Sequence, residues 1–280
     1  MVTANVSESE LIQVAAELPA APRLAVELGQ AIRNPRVDAR EITALLRQDP
    51  ALVARLIRIA NSALYARAEP AGSLEEALAC IGFQEMHRLV GAVAATQLAE
   101  QHLKHYGVDG ETLRANSLFV AVIMEELANA TGEDPRGAYT VGLLRSIGKL
   151  ALDRLARGST AIPPFSSSGE TVFDTWETRH WGMDNCKAAG IILTHWRLPH
   201  ETVIAVQHHY RPIGRHNPII HLLSLSAGAA DDRLYGLKGE VGYWKPTAEN
   251  FAQAGINERG FQIACEKAQR VFQRLHSASH

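Results

Sequence analysis

Twelve histidines are the residues of this chain best suited to chemistry. Neutral imidazoles gathered with carboxylates around an open coordination position can hold a divalent metal and activate water for hydrolysis. The densest group is His195, His200, His208 and His209, with His180, His216 and His221 around it. Its spacing gives no recognisable site. HExxH is absent, and the neighbours His208 and His209 point roughly 100 degrees apart on a helix, so at most one faces a shared centre. There is no GxSxG and no glycine-rich phosphate loop ending in Gly-Lys-Ser/Thr. Gly148-Lys149 reads as a join between helices, and Asp231-Asp232 as a solvated helix end. Cys186 reads as a buried, inert thiol, since no base and orienting group are legible beside it. Arg55 and Arg58 share a helix face, with Arg47 and Arg67 nearby, but no basic excess accompanies them. Solvated surface is the expected reading, and nucleic acid is not the expected partner.

The elements that must position these groups are helical. The chain has 280 residues, 46% hydrophobic and 21% charged, with a formal net charge of -2. That balance suits a folded core and excludes an overall polyanion binder. Three widely spaced cysteines (80, 186 and 265) argue against a disulfide framework and a thiolate zinc site. No stretch is apolar enough for a membrane span, and the N-terminus lacks the basic flank and apolar run of a signal peptide, so a cytoplasmic location is expected.

Apolar residues recur near a period of 3.6, without alternating runs or hairpin turns, and predict an all-α fold. Helices are expected over Ser9–Leu18, Ala21–Ile32 and Val37–Leu46, and from Pro50, where Asp49 can cap and Pro50 gives up a dispensable NH. Ser73-x-x-Glu76 reads as a capping box. Gly82 ends that helix, and Phe83 to about Glu100 follows. His102–Gly110 is the best boundary candidate. Further helices are expected over Glu111–Ala130, Pro135–Leu144, on to Ala156, then Glu170–Arg179, Asp184–Trp196, Pro199–His209 and Ile219–Leu234, with Ala161–Gly169 the clearest loop. Tyr235–Asn257 is glycine-rich and unassigned, ahead of a last helix to about Leu275. The expected organisation is an N-terminal helical bundle (1–107), a helical core (108–235) and a C-terminal extension (236–280).

One linear pattern runs through the first half. It comprises Leu18-Pro19 and Pro22, then Ile42-x-x-Leu45-Leu46-x-Gln48-Asp49-Pro50-Ala51-Leu52. Leu56-Ile57-Arg58-Ile59-Ala60-Asn61-Ser62-Ala63-Leu64-Tyr65, Ser73-Leu74-Glu75-Glu76-Ala77-Leu78 and Ile81-Gly82 complete it. With these motifs the sequence resembles the HDOD domain, a bacterial relative of the HD metal-dependent phosphohydrolases, from about residue 11 to 235. The resemblance implies a multi-helix fold in which the N-terminal bundle packs on an HD-like core.

It also implies where the metal ligands of active relatives would lie. The first metal histidine falls at Asn116. The motif Gly-Leu-Leu-His-Asp-Ile-Gly-Lys-Leu reads here Gly142-Leu143-Leu144-Arg145-Ser146-Ile147-Gly148-Lys149-Leu150, and the histidine after Asp184 is Asn185. Glu177, His208 and His209 match the pattern. A permanent guanidinium at Arg145 opposes a cation, and Asn and Ser are weak ligands. Metal and cofactor are therefore not expected, and hydrolysis is not the expected function.

Two readings of Arg145 stay open. It can pair with Glu177 or Asp184 and fill the vacated site, or it can hold a phosphate or carboxylate with Asn116, Asn185 and His208. The family implication is a regulatory module that acts through a protein partner in bacterial signalling. No fused output domain is expected, and the partner is expected to be a separate polypeptide. Asn61 is expected to end its helix and Tyr65 to wedge the halves together, a structural role shared with Asp49, Pro50 and Ser62. The last helix is free to cover the bundle, swap into a neighbour or make a homodimer contact.

Overall fold

The computed structural model describes residues 5–62, 65, 70–100, 102–157, 161–166 and 172–278. Among them the regular structure is helical, apart from a single bridge that pairs Leu103 with Val108. The fold class is all-α, as the periodicity indicated.

In the first half, local chemistry sets the helix starts. Helix α1 (Glu8–Ala16) opens with a capping box between Ser7 and Glu10, and α2 (Ala20–Arg33) follows Pro19. Asp38 caps α3 (Ala39–Leu46) by accepting from the backbone N–H groups of Arg40 and Glu41. Asp49 caps α4 (Pro50–Ala60), its Oδ1 accepting from the Leu52 N–H at 3.0 Å with Pro50 in the first turn. Helix α5 (Leu74–Ala99) breaks at Gly82, whose φ of 77° interrupts the helix where the sequence placed an end. Only half of the Ser73–Glu76 capping box forms. Ser73 Oγ accepts from the Glu76 N–H, while the Glu76 carboxylate takes the Gly72 N–H instead.

The second half is built on α6 (Gly110–Thr131), buried along most of its length and packed against α7 (Pro135–Leu144). A tight turn at Arg145-Ser146 leads into α8 (Ile147–Ala156), which lies against α10 (Asn185–His195). Between them runs α9 (Phe173–Trp181), ended by Gly182 in the left-handed conformation. Helices α11 (His200–His208) and α12 (Pro218–Asp232) complete this layer. The buried apolar core is continuous from Leu11 to Leu275. Helix α1 packs on α8 and α10, and the Val6 N–H donates to the Trp181 carbonyl at 3.1 Å, so the N-terminal segment lies on the HD-like layer.

The region without a sequence assignment has definite structure. A 3-10 turn (Lys238–Tyr243) crosses the HD-like layer as a strap, followed by the short α13 (Ala248–Gln253). The last helix, α14 (Glu258–Ala278), lies along α6 and touches α5. Its main contact is therefore with the 108–235 core, and it reaches the N-terminal bundle only through α5.

Candidate functional site: an ion cluster at the HD-like centre

The close approach of α8 and α10 brings the residues of the expected site together. A Cβ on Gly148 would strike the Asn185 carbonyl, so glycine is what lets these helices touch. Next to it, Lys149 is fully buried and donates from Nζ to Asn185 Oδ1 at 3.0 Å and to the Tyr210 hydroxyl at 2.7 Å. Gly148-Lys149 is thus a buried contact as well as the join between helices that its sequence suggests.

Arg145 is also buried, and its partner is neither Glu177 nor Asp184. It forms a two-pronged pair with Glu240 of the strap, Nη1 to Oε1 at 3.0 Å and Nη2 to Oε2 at 2.8 Å. Nη2 also donates to Asn116 Oδ1 at 2.6 Å, and the Asn116 amide donates to the Tyr235 carbonyl at 2.6 Å. Glu240 Oε1 further lies 2.7 Å from Lys149 Nζ and accepts from the Tyr210 hydroxyl at 2.7 Å. Sequence reasoning missed Glu240 because its partners lie about a hundred residues earlier in the chain and no local pattern marks it. Burial alone would raise its pKa. Arg145 and Lys149 more than offset this and hold the carboxyl well below its ordinary range.

A second carboxylate sits on the far side of Lys149. Glu177 is fully buried and accepts from the Asn185 backbone N–H at 2.7 Å, the Asn185 side-chain amide at 2.8 Å and the Tyr106 hydroxyl at 2.7 Å. Burial pushes its pKa up to about 7, opposed by the Lys149 charge and these hydrogen bonds. Of the adjacent histidines, only His209 faces the centre, as their angular separation requires. Burial and the Arg145 charge bring its pKa down to about 3, so it is neutral. Its Nδ1 bonds the Val206 carbonyl at 2.8 Å, while Nε2 has no partner. His208 is half-buried and points elsewhere. The Ser146 hydroxyl is buried without a partner and contributes no bond. Cys186 is buried with its thiol pushed up in pKa, an inert environment as expected.

Aromatic contacts hold the strap in place. Tyr243 stacks on Tyr210 at 4.1 Å, and Trp244 stacks near His209 at 6.1 Å. Arg145 lies 5.9 Å from the Trp244 ring centre. Gly239 passes so close to Phe173 that a Cβ would collide with the ring.

These residues do not fit a divalent metal. The two side chains at the centre are cations, and the Asn116 and Asn185 oxygens are already accepting from them. Among the described residues no group of three or more His, Cys, Asp or Glu side chains is arranged to hold a metal.

The linear hallmarks of the first half have structural positions. Asn61 ends α4, and its side chain pairs with the Ala71 backbone in both directions, at 2.9 and 2.7 Å. The Tyr65 hydroxyl donates to Glu85 of α5, a carboxylate that also pairs with Arg274 of α14. The polar side chain it reaches lies only 20 residues on, and that near partner takes the hydroxyl. The Ser62 hydroxyl is buried without a partner. The motif residues Ala63 and Leu64 lie outside the described residues, as do residues 167–169 of the expected Ala161–Gly169 loop and 170–171 at the start of the expected Glu170 helix.

What fold and centre define is an all-helical scaffold with a buried ion cluster built from Arg145, Lys149 and Glu240. The HDOD domain model matches residues 18–212, more than half of the chain, and the protein belongs to that family. Its fold is similar to a Geobacter sulfurreducens HDOD domain protein of unknown function (TM-score 0.68, 20% identity), covering 97% of this chain and 96% of that one. A Shewanella amazonensis SB2B protein carrying a phosphohydrolase name is similar at TM-score 0.64 and 24% identity, over 96% and 97% of the two chains. A Marinobacter aquaeolei VT8 protein carrying a signal-transduction name is similar at TM-score 0.70 and 21% identity, over 94% of this chain and 58% of that one. In sequence, an uncharacterized protein of Treponema pallidum (strain Nichols) is 24% identical over 200 residues, 69% of this chain. This chain spans 38% of that relative's length. No helix among the described residues is long and apolar enough to cross a membrane.

Proposed function

We propose that this protein is a regulatory scaffold that acts by binding a protein partner in a bacterial signalling pathway and carries out no hydrolysis. The observation that supports this reading is the buried Arg145–Glu240–Lys149 cluster, formed at the residues where the resemblance puts the metal ligands of active relatives. A buried two-pronged pair fixes geometry more than it adds stability, and it suits a scaffold that must hold one shape. The signal-transduction name of one fold relative points the same way. An anionic ligand held by Arg145 has less support, because both terminal guanidinium nitrogens are bonded within the chain.

The test has two arms. Untagged protein prepared without chelator is assayed for metal by inductively coupled plasma mass spectrometry and for phosphodiesterase turnover with added manganese. Substoichiometric metal and no turnover are expected, and stoichiometric metal with turnover overturns the reading. In the second arm, the protein at native abundance is cross-linked in its own cell and its complexes are sized. A defined heteromeric complex is expected, and a chain that runs alone overturns the partner role.

A further inference from the structure

Beside the ion cluster, but outside it, an open cavity of about 360 Å³ lies between the start of α10 and the end of α11. That volume is at the small end of the range for small-molecule sites, about 300–1,000 Å³. Its floor includes Tyr210, whose hydroxyl serves Glu240, and its walls carry Lys187, His208, Arg211 and Arg215. Neither the Lys187 nor the Arg215 side chain has an ion-pair partner among the described residues. Arg211 is held by Asp174 and lies 5.5 Å from the Tyr243 ring centre, so its guanidinium is fixed in direction. One acidic group, Asp184, shares the wall, where its Oδ1 caps α10 through the Lys187 N–H at 2.7 Å.

We propose that this cavity binds a small phosphorylated molecule, with the phosphate between Lys187 and Arg215 and a hydroxyl of the organic part on Asp184. Two unpaired cations of different type converging on one concavity match a phosphate dianion, the guanidinium through paired N–H donors and the ammonium as a point charge. His208 and the Gln207 side chain on the same wall add hydrogen-bonding capacity. An extended polyanion is a poor match, because the cations gather in a hollow on a chain of net charge -2. The single carboxylate would repel a second phosphate placed against it, while its acceptor oxygens suit a sugar or ribose hydroxyl. The site is independent of the scaffold reading, which survives if the cavity binds nothing.

The test is isothermal titration of the full chain with inorganic phosphate, glucose 6-phosphate and adenosine 5′-monophosphate as separate probes. Saturable binding of at least one ester, tighter than inorganic phosphate, is expected, and the better ester identifies the organic part. The Lys187→Ala/Arg215→Ala variant, changed only at exposed side chains, is expected to bind about tenfold more weakly or worse while melting like the wild type. Arg23→Ala, at a different cavity, is expected to bind unchanged. No saturable binding of any probe overturns the proposal, as does full affinity in the double variant. Inorganic phosphate bound as tightly as both esters overturns the assignment to an organic phosphate.

Discussion

At the residue scale, the buried charges dominate. Arg145 and Lys149 are compensated chiefly by Glu240, and removing one member of a buried pair leaves an unsolvated charge. Glu240→Ala is therefore expected to lower stability by ~3–5 kcal/mol in urea unfolding. Formate can re-enter the space left by the carboxylate, so it is expected to raise the melting temperature of Glu240→Ala, relative to chloride at equal ionic strength, while leaving the wild type unmoved. A variant as stable as the wild type would remove the ion pair from the list of contributions. The buried titratable groups give a second prediction with two signs. His209, at about 3, and His87, at about 4 through burial, are neutral in the fold and ordinary near 6.5 when unfolded. The unfolded chain therefore takes up more protons below pH 6.5, and stability falls as pH drops from there toward 4. Glu177 acts oppositely. Its folded pKa of about 7 exceeds the unfolded 4.5, so it favours the fold below pH 4.5 and loses that contribution as pH rises through 7. Between 4.5 and 6.5 the two histidines outweigh the one carboxyl by about one proton, a slope of ~1.4 kcal/mol per pH unit. Unfolding free energies measured across pH 4.5–6.5 are expected to fall with acid, more steeply in Glu177→Gln and less steeply in His209→Phe.

At the element scale, two joints carry the arrangement. Asn61 closes the segment after α4 by holding both backbone groups of Ala71, and Asn61→Ala is expected to cost ~1–3 kcal/mol in a thermal or urea melt. The strap depends on Gly239 passing Phe173, so Gly239→Val is expected to displace Glu240 from Arg145. In a double-mutant cycle with Glu240→Ala the two losses are then non-additive, since both remove the same pair, whereas additive losses would mean that the strap and the carboxylate act separately. The same contrast shows what the sequence could convey. Helices α1 to α12 follow from capping residues, prolines and apolar periodicity, all of them interactions within a few residues. The replaced ligands at Asn116, Arg145, Ser146 and Asn185 were also legible, because they interrupt a linear motif. Glu240 and Lys149 were not. A 3-10 strap has no periodicity, and an ion pair between residues 145 and 240 is fixed by packing rather than by any local propensity.

At the scale of the whole molecule, the expected units at 1–107, 108–235 and 236–280 are tied to one another by buried contacts. Helix α1 rests on α8 and α10, α2 on α7, and α14 on both α5 and α6. Glu240 joins the C-terminal extension to the HD-like centre through two buried cations. Loss of any one unit would expose apolar surface on its neighbours, at roughly 25 cal/mol for each Å² uncovered. We therefore propose that the three units are topological and that the chain unfolds as one. The distribution of tryptophan supplies a direct check. All four tryptophans lie between residues 176 and 244, and Trp196 borders the α1–α2 junction, so their fluorescence reports chiefly the HD-like layer and the strap, whereas far-ultraviolet circular dichroism reports every helix. Urea transitions followed by the two signals are expected to coincide in midpoint and slope. A dichroism change that begins before the fluorescence change would show the N-terminal bundle melting by itself, and the boundary near residue 107 would then be a boundary of folding as well as of sequence.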